Sequence, residues 1–251
     1  MFGIYDIDKA TSLSFKERFD IYKSVGFDEV SFYLDKNYLN ENENYDNFIT
    51  YANKIGLKVN QVHIDYKISN LICDENTNDY FNYLEQKINE CIKYKIPFLV
   101  THASMGNEPP EISKNQLEKL KNLVNKYRDS TVTICFENVR NNSNLLSILN
   151  LNLKNVKMCF DLGHAHCYGD EKELFKNLEK HIICTHLHNN FGKDTHNILN
   201  DGEIDYSYFL KLLKQSNTLS NCLECFPEYG KTLSNDEFKN FVIDCFNSLK
   251  N

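Results

Sequence analysis

Short apolar segments recur along the chain, and a stretch with a different periodicity follows each of them. The segments are rich in β-branched and aromatic residues, which predicts strands. The intervening stretches carry apolar residues three and four positions apart, which predicts amphipathic helices that each bury one face. The predicted strands are residues 2–7, 29–34, 57–64, 98–102, 131–137, 156–161, 182–188 and 221–226.

The ends of the predicted helices carry residues that commonly cap them. Ser14 with Glu17 forms a capping-box pattern at the first helix, and Ser113 with Gln116 does the same at the fourth. Gly26 stands where the first helix should end. These signals support the division of the chain into alternating strands and helices.

The number of elements predicts the fold class. Eight strands that alternate with eight helices in 251 residues predict a single-domain α/β protein, residues 1–251, with the (β/α)8 architecture of a TIM barrel. The alternative is a doubly wound open sheet. That fold normally carries a glycine-rich phosphate-binding turn after an early strand, and the sequence has none.

Composition narrows the class of protein. Hydrophobic residues make up 41% of the chain and charged residues 25%, as in ordinary globular proteins, and no apolar run approaches the roughly 20 residues of a membrane span. The N-terminus lacks a basic region followed by an apolar run, so we expect a cytoplasmic protein. The odd number of cysteines, nine, argues against a secreted disulfide framework. The net charge of −7 argues against a nucleic-acid partner, although a local basic rim is compatible with it.

Metal-capable side chains follow the predicted strands in a regular way. Six successive strands end in a His, Asp or Glu, and the C-terminal ends of barrel strands meet at one face of the fold. Carboxylates crowded into one cavity repel each other, and a divalent cation such as zinc or manganese removes that conflict. The residues at or just beyond these ends are His63, His102, Glu137, Asp161, His164, His166, His186, His188, Asp194, His196 and Glu224.

A cysteine stands two residues before the acidic or imidazole group that ends each of strands five to eight. Because alternate residues of a strand share a face, we expect these cysteines to lie in the barrel interior just beneath the site. We interpret them as small apolar fillers. The alternative is a thiol-lined floor, sensitive to oxidation or to soft metals. The four residues are Cys135, Cys159, Cys184 and Cys222.

Several motifs together resemble one large family across essentially the whole chain. They are VHID, VTHAS, FENVR, CFDLGHAH, THLHNNFGKDTH with the following DGEIDY, and LECFPE. In these motifs the chain resembles the xylose isomerase-like TIM barrel superfamily. That superfamily holds sugar and sugar-phosphate isomerases and epimerases, together with the endonuclease IV family. Asn189 departs from the pattern, which often has Asp at that position.

The resemblance implies specific metal ligands. It implies a core site of Glu137, Asp161, His186 and Glu224. In the endonuclease-like branch it implies a second ion that Glu137 shares with His63 and His102, and a third held by His164, Asp194 and His196. His188 would be a substrate contact or a spare ligand, and Arg140 or Lys193 could hold a phosphate or carboxylate of the substrate. One to three ions are expected.

The expected activity is that of a divalent-metal-dependent isomerase or epimerase acting on a sugar or sugar phosphate. Glu137 and Glu224 would transfer the proton next to a carbonyl that the metal polarises. The alternative is an endonuclease IV-like multi-zinc phosphodiesterase acting on abasic DNA, which the complete ligand set favours and the acidic charge disfavours. A metal-binding barrel without catalysis is the third hypothesis. The expected partner is a small carbohydrate, without a membrane, and a homo-oligomer is compatible with the sequence.

Overall fold

Eight parallel strands form one sheet, and helices separate successive strands along the chain. The computed structural model describes residues 2–39, 43–228 and 230–250. The strand order is β2-β1-β8-β7-β6-β5-β4-β3, so neighbours in sequence are neighbours in space all round the sheet. The strands are β1 (Phe2–Tyr5), β2 (Glu29–Ser31), β3 (Gln61–His63), β4 (Phe98–His102), β5 (Thr133–Glu137), β6 (Val156–Asp161), β7 (Ile182–Leu187) and β8 (Ser220–Leu223).

The two edges of this sheet, β2 and β3, meet and close the barrel. Isolated parallel bridges pair Glu29 with Lys58 and Tyr33 with His63. The backbone N–H of His63 donates to the carbonyl of Phe32 at 3.0 Å. An open doubly wound sheet would leave these edges apart. The predicted TIM barrel is therefore confirmed.

Regular pairing covers less of several strands than the sequence pattern predicts. The predicted strand 57–64 pairs regularly only across Gln61–His63, because its first half reaches β2 through a single bridge at Lys58. The predicted strand 221–226 is paired across Ser220–Leu223, so Glu224 lies just past the ladder. Glu224 therefore lies at the rim of the barrel, beyond the last paired residue of β8.

In the part of the chain that the structure describes, nine α-helices surround the barrel, one more than the pattern predicts. The extra helix begins at Leu162, directly after β6, where the apolar pattern predicts no helix. No helix in the described residues is both long and apolar enough to cross a membrane. The helices are α1 (Phe15–Val25), α2 (Tyr45–Ile55), α3 (Asp79–Tyr94), α4 (Lys114–Lys126), α5 (Ser143–Leu149), α6 (Leu162–Tyr168), α7 (Glu171–Leu178), α8 (Tyr206–Gln215) and α9 (Asn235–Asn247).

The capping residues behave largely as predicted. Ser14 and Glu17 form the complete capping box of α1, and Gly26 ends that helix at φ 120°, a conformation that strains residues with a Cβ. Ser113 caps α4 through the backbone N–H of Gln116. The reciprocal half is missing there, because the Gln116 side chain donates to the carbonyl of Asp74 instead.

The hydrophobic core has two parts. The larger part lies between the outer face of the strands and the helices, where for example Phe19 of α1 and Phe238 of α9 are fully buried. The smaller part fills the barrel interior below the rim. This inner cluster consists of Phe98, Val100, Cys135, Cys159 and Cys184. A packed interior of this kind supports the site above it and keeps solvent away from it.

Candidate metal centre

The C-terminal ends of the strands open into a cavity of about 610 Å³ at one rim of the barrel. Histidines, carboxylates and tyrosines from different strands and loops line it, as expected where parallel strands converge. The lining residues are Tyr33, His63, Tyr66, His102, Met105, Gly106, Asn107, Glu137, Val139, Arg140, His164, Tyr168, Asp194, His196, Glu224 and Phe226.

The structure brings together the four residues of the expected core site at the base of this cavity. One ligand atom from each of Glu137, Asp161, His186 and Glu224 lies within 4.8 Å of the others. His186 Nδ1 is 2.9 Å from Glu224 Oε2 and 3.1 Å from Glu137 Oε2. All four residues are buried. The four are well placed to surround one divalent cation.

Glu137 also belongs to a second group with His63 and His102. Its Oε2 atom is 3.2 Å from His63 Nε2 and 3.5 Å from His102 Nε2. The two Nε2 atoms are themselves 3.2 Å apart. Two imidazole nitrogens that face each other beside a carboxylate are the arrangement that a shared cation would organise.

A third group lies on the other side of the core site and has four members instead of the expected three. His164 Nε2 is 3.3 Å from Asp194 Oδ2, and His196 Nε2 is 3.2 Å from Asp194 Oδ1. His188 joins them, with its Nε2 3.8 Å from Asp194 Oδ1. His188 is completely buried, so the structure places it among these metal-capable groups and not on the cavity surface.

The start of α6 explains how β6 supplies two groups at once. Asp161 is the N-cap of this helix, and its Oδ1 accepts the backbone N–H of His164 at 2.6 Å. Its other oxygen, Oδ2, has no hydrogen bond. Between Asp161 and His164, Gly163 packs so closely on the His188 ring that an added Cβ would lie 2.0 Å from Cε1. The glycine of the CFDLGHAH motif is therefore needed for His188 to reach the site.

The loop after β7 is folded back on itself and carries Asp194 and His196 to the rim. Asn189 and Asn197 form an antiparallel bridge at its base. The Asn189 side chain donates to the carbonyl of Leu199 at 2.7 Å and accepts from the backbone of Ile204 at 3.0 Å. An aspartate could not make the first of these bonds. Asn189 thus holds the loop together and does not contact the metal groups.

Three of the histidines have an oxygen partner for the ring nitrogen that points away from the site. If that nitrogen carries the proton, the other ring nitrogen is left with a lone pair for a metal, a tautomer pattern typical of metal-binding histidines. The pairs are His63 Nδ1 with Ile64 O at 2.6 Å, His186 Nε2 with Gln61 Oε1 at 3.1 Å and His196 Nδ1 with Glu224 O at 2.7 Å. His164 Nδ1 is 3.0 Å from Asn138 O but also 3.1 Å from Glu137 Oε1, so this nitrogen faces the core site.

The partner of His186 belongs to a buried relay across the barrel. Ser220 Oγ donates to Glu29 Oε2 at 2.6 Å, so it accepts from Gln61 Nε2 at 2.9 Å. The oxygen of the Gln61 amide is therefore turned toward His186 Nε2 and requires a proton there. This relay leaves His186 Nδ1 toward the carboxylates. The sequence reasoning missed Gln61, although it stands two residues before His63 on the same face of β3.

Without metal, these carboxylates depend on protonated imidazoles. Burial alone would lower the pKa of His186, but the carboxylates of Glu224 and Glu137 hold that pKa well above its usual range. Burial would raise the pKa of Glu137, and the neighbouring His186 and His102 lower it instead. In the metal-free protein, protons on the imidazoles thus supply the positive charge that a bound cation would otherwise supply.

The donor set fits a divalent metal on a structural criterion as well as a chemical one. Polar atoms in dry interiors almost always find hydrogen-bond partners. In the described residues, Asp161 Oδ2, His186 Nδ1 and both ring nitrogens of His188 are buried without a hydrogen bond. His188 Nε2 is 3.1 Å from Asp161 Oδ1 but lacks the alignment of a hydrogen bond. Atoms that face one another in this way are suited to a common cation.

The remaining predicted residues lie further out. The Arg140 guanidinium lines the cavity, is 4.7 Å from the centre of the Tyr168 ring and donates to Asn107. Lys193 is exposed on its loop and is not among the cavity-lining residues. His166, which the sequence placed just beyond strand six, pairs with Glu171 at 3.4 Å outside the three groups.

Comparisons with known proteins identify the family and the fold. The family described as xylose isomerase-like TIM barrel matches residues 19–238. The protein MJ1311 of Methanocaldococcus jannaschii, described as uncharacterized, is 29% identical over 123 residues, which are 44% of this chain and 42% of that protein. The chain therefore matches less than half the length of that relative.

Solved structures resemble the whole chain. An L-ribulose 3-epimerase has a TM-score of 0.75 at 13% identity, over 99% of this chain and 94% of that one. A D-tagatose 3-epimerase-like protein has 0.73 at 20%, again over 99% and 94%. The D-psicose 3-epimerase of Clostridium cellulolyticum H10, solved with D-tagatose, has 0.75 at 13%, over 99% and 96%. These likenesses establish the fold, and the family match establishes that the chain belongs to the xylose isomerase-like TIM barrel family.

Proposed function

We propose that the protein is a divalent-metal-dependent isomerase or epimerase that acts on a sugar or a sugar phosphate. The observation that carries the proposal is the pair of carboxylates, from two different strand ends, that both approach His186 Nδ1, with Glu224 at 2.9 Å and Glu137 at 3.1 Å. Moving a proton from one face of a carbon to the other needs an acid–base group on each side. A single buried carboxylate could serve only one face.

The roles follow from the contacts of each residue. Asp161 and His186 would hold the ion together with Glu137 and Glu224. When bound, a divalent ion such as zinc or manganese polarises a carbonyl and its neighbouring hydroxyl. Glu137 and Glu224 would take and return the substrate proton. His186 stays fixed through Gln61, so the two carboxylates keep their separation during the reaction.

The cavity supports a substrate of sugar size. Its volume of about 610 Å³ lies within the range of small-molecule sites. Tyr33, Tyr66 and Phe226 supply apolar walls, and Arg140 is the guanidinium among the lining residues. Arg140 could bind a phosphate or carboxylate of the substrate at the outer rim. Lys193 remains a prediction for the same role, and its side chain is not among those that line the cavity.

Exchange in deuterated water tests this function directly. The metal-loaded protein is incubated with a panel of ketoses and ketose phosphates, and deuterium incorporation next to the carbonyl is followed by mass spectrometry. We expect incorporation into at least one ketose, together with its epimer or isomer. The absence of exchange across the panel, with metal bound, would contradict the proposal.

Glu224→Gln separates the acid–base role from folding. The amide keeps the shape of the side chain but cannot take up a proton, so we expect the variant to fold, as judged by circular dichroism, and to lose turnover and exchange. Glu171→Gln is a suitable control, since it makes the same chemical change at a carboxylate that lies outside the three groups. A fully active Glu224→Gln variant would remove Glu224 from the acid–base pair.

A second function has one specific observation in its favour. All nine residues that the endonuclease-like branch uses lie in three adjacent groups around Glu137 and Asp161. Clustered ions of this kind activate water and stabilise a leaving oxygen, as a multi-zinc phosphodiesterase acting on abasic DNA requires. The net charge of −7 and the three arginines of the chain speak against a DNA backbone as partner.

Metal content separates the two functions. One tightly bound ion per chain, measured on purified protein by plasma mass spectrometry, favours the isomerase or epimerase. Three ions together with cleavage of an abasic duplex would favour the phosphodiesterase. Binding of the ions without either activity would indicate a metal-binding barrel that has no catalytic role.

A further inference from the structure

A thiol lies directly beneath the core metal site. Cys159 is fully buried on β6, two residues before Asp161, and its side chain belongs to the inner core cluster of the barrel. Its register partners are Glu137 on β5 and Cys184 on β7. Cys159 is therefore set between the two strands that carry Glu137 and His186.

The Cys159 sulfur is close enough to take part in metal binding. A carboxylate oxygen of Glu137, a ring nitrogen of His186 and Cys159 Sγ all lie within 4.8 Å of one another. Within the described residues, Cys135, Cys184 and Cys222 belong to no such group, although each is equally buried beneath the site. The position of Cys159 thus differs from that of its neighbours in a way that the strand pattern alone does not reveal.

The group that contains Cys159 shares two members with the core group. Glu137 and His186 belong to both groups, whereas Asp161 and Glu224 belong only to the core group. We propose that the barrel offers two alternative positions for one ion: an upper one with oxygen and nitrogen ligands, and a lower one in which Cys159 adds sulfur. An ion in the lower position moves away from Glu224.

Ligand chemistry then decides which ion takes which position. Carboxylate-rich sites suit manganese and magnesium, whereas thiolates favour softer ions such as zinc, cobalt and cadmium. On binding in the lower position, the Cys159 thiol releases its proton to solvent and the thiolate forms the metal–sulfur bond. His186 Nδ1 has no hydrogen bond in the metal-free protein, so it can serve either position.

The lower position would therefore retain thiophilic ions beneath a site that suits harder ions. This inference rests on the proposed metal site but not on the proposed reaction. A soft ion in the lower position would occupy Glu137 and His186 without facing Glu224, one half of the proposed acid–base pair. We therefore expect cadmium to bind tightly and to prevent manganese from supporting activity.

Spectroscopy of the cobalt-loaded protein tests the sulfur ligand without measuring turnover. The reduced, metal-free protein carries Cys73→Ser and Cys167→Ser, which remove its two less buried thiols. One equivalent of Co²⁺ is added without oxygen, and sulfur-to-cobalt charge transfer is recorded in the near ultraviolet. We expect this band in the parent protein, its loss in Cys159→Ser, and its persistence in the matched Cys135→Ser and Cys222→Ser variants.

X-ray absorption of the zinc-loaded protein gives an independent measurement. A sulfur neighbour at about 2.3 Å is expected in the parent and absent in Cys159→Ser. If Cys159→Ser does not fold, retention of that sulfur in each of Cys135→Ser, Cys184→Ser and Cys222→Ser supports Cys159. Loss of it in any one of these three overturns the proposal.

The remaining outcomes separate this inference from the function proposed above. Manganese binding that requires Asp161, with no sulfur signal from cobalt or zinc, would overturn the lower position and leave the upper site standing. A failure of all of these ions to bind would overturn both. A sulfur signal that survives Cys159→Ser in a folded protein would assign the ligand elsewhere and refute the lower position.

Discussion

Two clusters of buried charge lie at the same rim of this barrel, and they differ in one respect. At the end of β1, Asp6 pairs with Arg18 through two hydrogen bonds of 2.8 and 2.7 Å. Arg18 also donates to the carbonyl of Leu13, and the Tyr22 hydroxyl donates to Asp6 at 2.9 Å. The cluster is electrically balanced and closed by its own hydrogen bonds.

At the ends of β5 to β8 the charges are balanced only while imidazoles such as His186 are protonated. Glu137, Asp161 and Glu224 bring three carboxylates together, and Asp161 Oδ2 and His186 Nδ1 have no hydrogen bond. Burying a charge is costly unless it is paired. A closed network is therefore explained by folding alone, whereas an open one indicates a ligand. Variants of the two clusters should therefore affect different properties, stability in the first cluster and metal affinity in the second.

Breaking the closed cluster should cost the most stability. In Arg18→Met, Asp6 stays buried without its partner, so we expect the free energy of unfolding to fall by about 3–5 kcal/mol, with or without metal. Urea denaturation measures this loss. Lys16→Met on the exposed face of α1 is the control and should change stability by less than about 0.5 kcal/mol. An Arg18→Met variant that loses metal affinity but keeps its stability would contradict the proposed difference between the two clusters.

Neutralising the open cluster should act mainly on metal binding. Glu137 belongs to the core group and to the group of His63 and His102, so we expect Glu137→Gln to lose metal affinity by more than the roughly 100-fold typical of supporting residues. The metal-free variant should also lose some stability at neutral pH, because His186 and His102 hold the pKa of Glu137 well below its usual range and its carboxylate therefore stabilises the fold. Calorimetric metal titration and thermal unfolding measure the two effects.

Glu171→Gln provides the matched control for Glu137. Glu171 pairs with His166 at the same rim but belongs to none of the three groups. Its loss should leave metal affinity unchanged. Equal losses of affinity in both variants would mean that the binding depends on the general negative charge of the rim.

The relay beneath His186 should have an intermediate effect. Gln61→Leu removes the acceptor for His186 Nε2, so we expect metal affinity to fall about 10–100-fold. The control is Thr185→Val, which removes a buried side-chain hydrogen bond to Asn221 in the same barrel without touching a ligand. If both variants lower affinity equally, the effect comes from general loosening of the barrel and not from the orientation of His186.

The smallest effect concerns pH. The carboxylates of Glu224 and Glu137 raise the pKa of His186 despite its burial, so protonated His186 stabilises the metal-free protein below the usual histidine pKa of about 6.5. This contribution is lost as pH rises through the raised pKa. Metal replaces the proton, so the increase in melting temperature on adding Mn²⁺ should grow from pH 6 to pH 8. A constant or shrinking increase would contradict this linkage.

Much of the fold was predictable because it is encoded locally. The apolar periodicity placed all eight strands, and Ser14 with Glu17 placed the start of α1. Strand boundaries were harder to predict, because a polar residue at a strand end, such as Glu224, gives the same sequence pattern whether or not its backbone is paired. Helix α6 was missed because the histidines after Asp161 carry no apolar period over its short length.

The site was predictable as a set of residues but not as a set of contacts. Strand parity indicated that the ligands and the cysteines would face inward, and the structure places them there. It could not indicate that His188 joins His164, Asp194 and His196. Nor could it indicate which cysteine of the described residues, Cys159, forms a group with Glu137 and His186. Those are differences of a few ångströms between side chains on neighbouring strands.

The sequence by itself determined the alternation of strands and helices and the chemical type of each strand end, because both depend on residues close together along the chain. Only the tertiary structure decided which groups meet. The bond between Gln61 and Ser220 joins residues 159 positions apart and exists because the barrel closes. The relay that orients His186, the division into three groups and the position of the Cys159 sulfur all depend on that closure.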